Sequence, residues 1–212
     1  MQTTFDQFVS MLRSAAAQVR ANHEMLSRLD SFGGDGDHGT TMLRAMTCLE
    51  KAIDACTEKR LHSLLHEVGW AIMGVDGGAT GPLLGTFFMS MAEAAGDREA
   101  LDAKALVLLF EAGLAGVQRQ SKAKVGDKTM MDALVPAVRA IHLSAGAGNA
   151  LAVVLKDAAV AAEAGAVSTR DMQARFGRAR NLGPRSIGNP DAGATSIALI
   201  FKGFYEGLTS NG

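Results

Sequence analysis

The sequence predicts an all-α fold, and two observations carry that prediction. Aromatic residues make up 5% of the chain while Ala, Leu, Met and Gly are abundant, a composition suited to helices packed closely on small side chains rather than to sheets. Apolar residues also recur at helical spacing in eight separate runs. At 212 residues and 48% hydrophobic content the chain is long enough for one well-buried domain over residues 1–212, with no linker or internal repeat to divide it.

The first run, Phe5, Phe8, Val9, Leu12, Ala16 and Val19, predicts one amphipathic helix near residues 4–29 that delivers Asp30 at its C-terminal end. Met42, Met46, Leu49 and Ile53 place a second helix from near Thr40, and Leu61, Leu64, Leu65, Val68 and Ile72 a third. Leu83 to Met89 is apolar on every side, which predicts a central fourth helix with Pro82 in its first turn. Asp102 is placed to cap a fifth helix through Leu106, Leu109, Phe110, Leu114 and Val117. A sixth begins at Thr129 with Asp132 three residues after the cap, and Pro136 predicts a kink or shift in it. Leu151, Val154, Leu155, Ala158 and Ala162 define the seventh, and Ile197, Ile200, Phe201, Phe204 and Leu208 the eighth.

Three connections hold the chemistry. Between the first two helices, Asp30, Asp35 and Asp37 crowd into eight residues beside Gly33, Gly34, Gly36 and Gly39. Carboxylates so close repel one another unless a cation sits between them, and hard oxygen ligands favour Mg²⁺ or a similar ion. The glycines allow the chain to wrap until the three side chains face one point. A calcium EF-hand is excluded, because counting from Asp35 the glycine falls at the fifth position and Met46 stands where the bidentate Glu belongs. A solvated Asp-Gly turn is the bland alternative.

The second connection, Gly77-Gly78-Ala79-Thr80-Gly81-Pro82, exposes backbone N–H groups at a helix start, where phosphate is the natural ligand, although it lacks the lysine of a Walker loop. The third runs from Ser168 to Gly193, with Arg170, Arg175, Arg178, Arg180 and Arg185 and a closing Asp191-Ala192-Gly193. Arginines suit phosphate recognition as well as a solvated surface. If neighbouring helices run antiparallel, the second, fourth and eighth helices start at one end, and all three connections surround one pocket of the kind Mg-nucleotide phosphoryl transfer requires.

Other classes are disfavoured. The net charge of −1, with no basic stripe interleaved with aromatics, argues against a nucleic-acid partner. The first residues lack a basic, then apolar, leader and no apolar stretch is of spanning length, so a soluble cytoplasmic protein without a membrane partner is expected. Cys48 and Cys56 lie too far apart along one predicted helix for a bridge. His62 and His66 stand four residues apart, a spacing that can bind zinc, but no further ligand accompanies them and they read as a surface pair.

Four stretches together resemble one family, the nucleotide-binding L subunits of bacterial dihydroxyacetone kinase, essentially end to end. They are Leu29-Asp30 with Gly34-Asp35-Gly36-Asp37-His38-Gly39; Gly77-Gly78-Ala79-Thr80-Gly81-Pro82-Leu83 with Gly85-Thr86-Phe87-Phe88; Lys122-Ala123 with Gly126-Asp127-Lys128-Thr129-Met130 and Asp132; and Gln173-Ala174-Arg175 with Gly177-Arg178-Ala179, Arg185-Ser186-Ile187-Gly188 and Asp191-Ala192-Gly193-Ala194-Thr195-Ser196. The chain departs from the family at Thr41, where Asn is frequent, at Ser121, where Gly is frequent, at Ser31-Phe32-Gly33 and at Val75-Asp76.

The resemblance implies an eight-helix antiparallel up-and-down barrel with ADP or ATP at one end. It implies two Mg²⁺ ions on Asp30, Asp35 and Asp37, which with Arg178 form the catalytic set. It implies nucleotide contacts from His38, Gly39, Thr40 and Thr41, from Gly78, Ala79 and Thr80, from Ser121, from Met130 beside the adenine, and from Arg178, Asp191, Ala192 and Gly193. The implied activity is transfer of a phosphoryl group to dihydroxyacetone held covalently on a separate K subunit, with the bound ADP recharged by a phosphoprotein of the phosphoenolpyruvate phosphotransferase system. Three alternatives stay open: an ATP-consuming kinase subunit for dihydroxyacetone or another short ketose, a non-catalytic nucleotide-binding regulator of a transcription factor, and a two-metal phosphohydrolase.

Overall fold

In the computed structural model, residues 2–210 are described, and the all-α expectation holds. The first predicted helix is two helices, α1 (Phe5–Ala21) and α2 (His23–Asp30). The break sits at Asn22 (φ −116°, ψ 8°), whose amide donates to the Gln18 carbonyl at 2.8 Å, while the His23 ring meets the Arg20 carbonyl at 2.8 Å. Side chains that bond main-chain carbonyls compete with the helical ladder, and here they turn the chain. Thr4 caps α1 in a reciprocal box with Gln7.

The remaining helices are α3 (His38–Ala55), α4 (Leu61–Met73), α5 (Thr80–Ala95), α6 (Ala103–Gln120), α7 (Met131–Gly146), α8 (Leu151–Ser168) and α9 (Ala192–Thr209). Nine α-helices thus stand among the described residues where eight runs were read, with two 3-10 helices, Thr169–Asp171 and Arg178–Ser186, between α8 and α9. Asp102 caps α6 by accepting from the Ala105 amide at 2.8 Å. Helix α7 runs through Pro136 without interruption, so the predicted kink does not break it. One short strand pair was not foreseen: β1 (Thr3–Thr4) lies antiparallel to β2 (Ala100–Leu101) and clips the start of α1 to the α5–α6 connection.

The helices form a closed ring. From α2 onward each packs on the next in sequence, α1 meets α3, and α9 returns to pack on both α1 and α8. The closing seam is tight, for a Cβ placed on Gly203 of α9 would stand 2.3 Å from the Ala15 Cα of α1. Helix α5, expected at the centre, takes its place between α4 and α6 instead. What fills the centre is side chains: Phe110 lies 5.5 Å from Phe201, 5.8 Å from Phe204 and 6.1 Å from Phe87, ring to ring. All four are buried, at about 1.5–3 kcal/mol each.

Up-and-down order puts the starts of α3, α5, α7 and α9 at one end of the ring. Gly39, expected at the nucleotide, sits at the α2–α3 crossing, where a Cβ would stand 1.8 Å from the His23 carbonyl oxygen. Among the described residues no helix is long and apolar enough to cross a membrane. Both cysteines are free, as predicted.

Candidate functional site

At that end lies a cavity of about 380 Å³, lined by all three predicted connections and by the turn before α7. Its volume is within the range of small-molecule sites. Asp30 ends α2, and its Oδ2 accepts from the Gly36 amide at 2.9 Å and the His38 amide at 3.4 Å, which curls the turn over its own first carboxylate. Gly34 makes the curl possible, since a Cβ there would stand 2.3 Å from Asp30 Oδ1.

The result is a cluster in which Asp30, Asp35 and Asp37 each offer one carboxylate oxygen, all within 4.8 Å of one another. Among the described residues it is the one group of three or more His, Cys, Asp or Glu side chains so arranged. Crowding shows in the protonation equilibria. Burial and the neighbouring Asp35 carboxylate push Asp37 above its ordinary range. Asp35 is held below it, because its own amide and the Arg178 guanidinium outweigh the burial that would raise it.

Arg178 reaches Asp35 from the third connection as an ion pair. The two segments touch directly: a Cβ on Gly33 would stand 2.6 Å from the Ala179 Cβ. A cation therefore already faces the carboxylates, and the donor set, three hard oxygens within 4.8 Å of one another, fits Mg²⁺.

His38 ties three helix starts together. Its Nε2 lies 2.8 Å from Ser196 Oγ on α9 and its Nδ1 3.4 Å from Thr80 Oγ1 on α5. The Ser196 hydroxyl donates to the Ala192 carbonyl, so it accepts from Nε2–H and leaves Nδ1 to accept from Thr80. Burial lowers the His38 pKa, in keeping with this neutral ring.

The start of α5 carries no side-chain cap, so its amides are open to an anion, whereas at the start of α3 the His38 amide already donates to Asp30 Oδ2. The α5 start is presented by Gly77 (φ 136°) and Gly78 (φ 61°), with Gly78, Ala79 and Thr80 on the cavity. The start of α9 differs. Asp191 already occupies it, accepting from the Ala194 amide at 2.7 Å, and burial raises its pKa to about 6 despite that bond and the nearby Lys128.

Of the predicted nucleotide contacts, His38, Gly78, Ala79, Thr80, Ser121, Met130, Arg178, Asp191, Ala192 and Gly193 line the cavity. Gly39, Thr40 and Thr41 do not. Thr40 points outward, and Thr41, 1% exposed, stands behind the second connection, where a Cβ on Gly77 would come within 2.2 Å of its Oγ1. Thr41 supports the glycine loop instead of facing the cavity.

The lining residues to which the sequence assigns no role include Phe32, 60% exposed, Phe176, and Lys128. An exposed aromatic in a glycine turn and a lysine between a glycine and a cap are visible signals, but neither names a contact. His62 and His66 stack at 6.0 Å on α4, outside this cavity.

Residues 33–206 match the DAK2 domain. The chain is 38% identical over 202 residues to the PEP-dependent dihydroxyacetone kinase, ADP-binding subunit DhaL, of Escherichia coli, covering 95% of this chain and 96% of that one. It is 39% identical over 195 residues to the PEP-dependent dihydroxyacetone kinase 1, ADP-binding subunit DhaL, of Listeria innocua, covering 92% of each. The fold matches the dihydroxyacetone kinase of C. freundii in complex with AMP-PNP and Mg²⁺, with a TM-score of 0.71 and 28% identity over 94% of this chain and 33% of that one. The chain therefore belongs to the DAK2 domain family and is a phosphotransferase of the kinase type.

Proposed function

We propose that this chain is the ADP-binding subunit of a PEP-dependent dihydroxyacetone kinase, holding a Mg-nucleotide in the cavity and passing a phosphoryl group to dihydroxyacetone on a separate K subunit. The observation that carries this is convergence: three carboxylates within 4.8 Å, the uncapped start of α5 and an arginine all face one cavity. Phosphoryl transfer asks a protein for little more than positioning and charge compensation.

Asp30, Asp35 and Asp37 would hold two Mg²⁺ ions, with Asp30 fixed by two amides and Asp35 and Asp37 freer to adjust. Mg²⁺, when bound there, would supply positive charge to screen the phosphates. The open amides of α5 bind phosphate, Ser121 and Met130 border the base, and Asp191 to Gly193 close the site. Arg178 brings its guanidinium to the transferring group, where charge develops. The bound nucleotide is recharged by a phosphoprotein of the phosphotransferase system, and the cytoplasm is the expected compartment.

A second reading has the chain use ATP as an ordinary substrate. The L-erythrulose 1-kinase of Mycolicibacterium smegmatis is 38% identical over 91% of this chain, which spans 34% of that protein. The experiment is a reconstituted assay of this chain with a dihydroxyacetone-loaded K subunit. Turnover with phosphoenolpyruvate and the phosphotransferase-system proteins, but not with ATP alone, supports the first reading. Turnover with ATP alone supports the second. No transfer with either donor overturns both.

A further inference from the structure

The mechanism leaves one buried cation without a task. Lys128 is 6% exposed, yet it lines the cavity, and it is the one described non-glycine residue with positive φ (61°). A lysine held in a backbone conformation that suits glycine or asparagine better is kept there by what its side chain does.

Its ammonium donates to the Thr169 carbonyl at 2.7 Å and to the Asn189 carbonyl at 2.6 Å. Those two groups stand at opposite ends of the segment between α8 and α9. Further bonds close the same neck: the Asp191 amide donates to Thr169 Oγ1 at 2.8 Å, and the Gly188 amide to the Arg170 carbonyl at 2.8 Å. Burial pulls the Lys128 pKa down, while Asp191, Asp171 and Asp132 favour its charged form. Two N–H groups are thus spent on main chain instead of on the cavity.

Beyond the neck the segment is braced within itself. The Ala174 amide donates to Ser186 Oγ at 2.9 Å, and that hydroxyl donates to the Gly183 carbonyl at 2.7 Å. The Arg175 amide adds a second attachment, to the Asp127 carbonyl at 3.1 Å, next door to Lys128. A loop braced in this way moves with its neck, so the position of Lys128 sets the position of Arg178.

We infer that Lys128 is a positioning residue: it pins both ends of the 169–191 segment to the turn before α7 and thereby holds Arg178 at the Asp30–Asp35–Asp37 cluster. Its catalytic consequence rests on the phosphoryl-transfer reading above, whereas its hold on the segment does not.

The test uses Lys128→Met, which keeps the length and removes every donor, and Lys128→Arg, which restores donors to both carbonyls. Limited trypsin digestion needs no partner. Cleavage after Arg178, Arg180 and Arg185 should quicken about tenfold in Lys128→Met, cleavage after Arg139 should not, and Lys128→Arg should recover most of the protection. In the K-subunit assay Lys128→Met should lower kcat about 100-fold, as a misplaced group does, with KM for the nucleotide within about threefold. Combined with Arg178→Ala it should be no slower than Arg178→Ala alone, because both remove the same interaction.

Unchanged cleavage of the segment, or a rate loss that multiplies with that of Arg178→Ala, overturns the inference. Should Lys128→Met not fold, Lys128→Gln, an uncharged donor, is read on the same cleavage sites. A wild-type chain inactive with the K subunit defeats the phosphoryl-transfer reading, and the cleavage pattern then decides the hold of Lys128 on the segment by itself.

Discussion

Arg178 is ion-paired with Asp35 across the mouth of the cavity, joining the segment before α9 to the turn after α2. Both side chains are about half exposed, 57% and 49%, and exposed pairs are worth only about 0–1 kcal/mol to stability. The pair therefore matters for where it puts a guanidinium. Removing it should leave the fold nearly untouched and the chemistry badly impaired.

Arg178→Ala is expected to lower the transfer rate by about 10³-fold, as loss of a phosphoryl-stabilising arginine does, with a melting temperature close to wild type. Stopped-flow transfer to a loaded K subunit, set beside nucleotide affinity by calorimetry, checks it. Equal losses in affinity and rate would make Arg178 a binding residue only.

Asp35→Asn and Asp37→Asn should each abolish Mg-dependent nucleotide retention while circular dichroism stays helical, since the cluster lies on a connection outside the core. In EDTA the Asp37→Asn protein should melt higher than wild type, because crowding by burial and Asp35 already disfavours the Asp37 charge. A lower melting temperature under those conditions would show that the turn does not suffer from its own charge.

Asp191 gives a pH signature. Its folded-state pKa of about 6 stands above the ordinary 3.8, so the folded chain binds the extra proton, and the stability this contributes is complete below about pH 4 and lost as pH rises through about 6. Asp191→Asn keeps an oxygen to accept the Ala194 amide and removes the titration. Melting of metal-free protein from pH 4 to 7 should show wild type falling relative to the variant across that window. Parallel curves would place Asp191 in the ordinary carboxylate range.

Helical periodicity made the core faces of the long helices legible, because Phe8, Leu12 and Val19, or Ile200, Phe201 and Phe204, report local geometry. The acidic turn was legible for a similar reason: three carboxylates and four glycines within ten residues state their conflict in the sequence itself. One miss is local: the side-chain amide of Asn22 bonds the Gln18 carbonyl four residues back and breaks a run that periodicity reads as one helix. What else escaped depends on distant partners. Thr3 pairs with Leu101, far along the chain, and Thr41 faces the back of Gly77 instead of the cavity. Lys128 makes sense only once Thr169 and Asn189 are brought to it.

Nucleotide retention tests the central claim most directly. A chain that works as a recharged ADP carrier should, after extensive dialysis in Mg²⁺, hold about one ADP per molecule, because a cofactor must outlast many cycles. EDTA should release it and lower the melting temperature, since a ligand bound only to the folded state contributes RT ln(1 + [L]/Kd), about 4 kcal/mol at a thousandfold excess over Kd. Absorbance and chromatography of the dialysed protein, with and without EDTA, read the result. One ADP per chain that leaves with the metal is the predicted outcome, and a chain that keeps its nucleotide in EDTA, or never carries any and binds none with Mg²⁺, would contradict a Mg-nucleotide site at Asp30, Asp35 and Asp37.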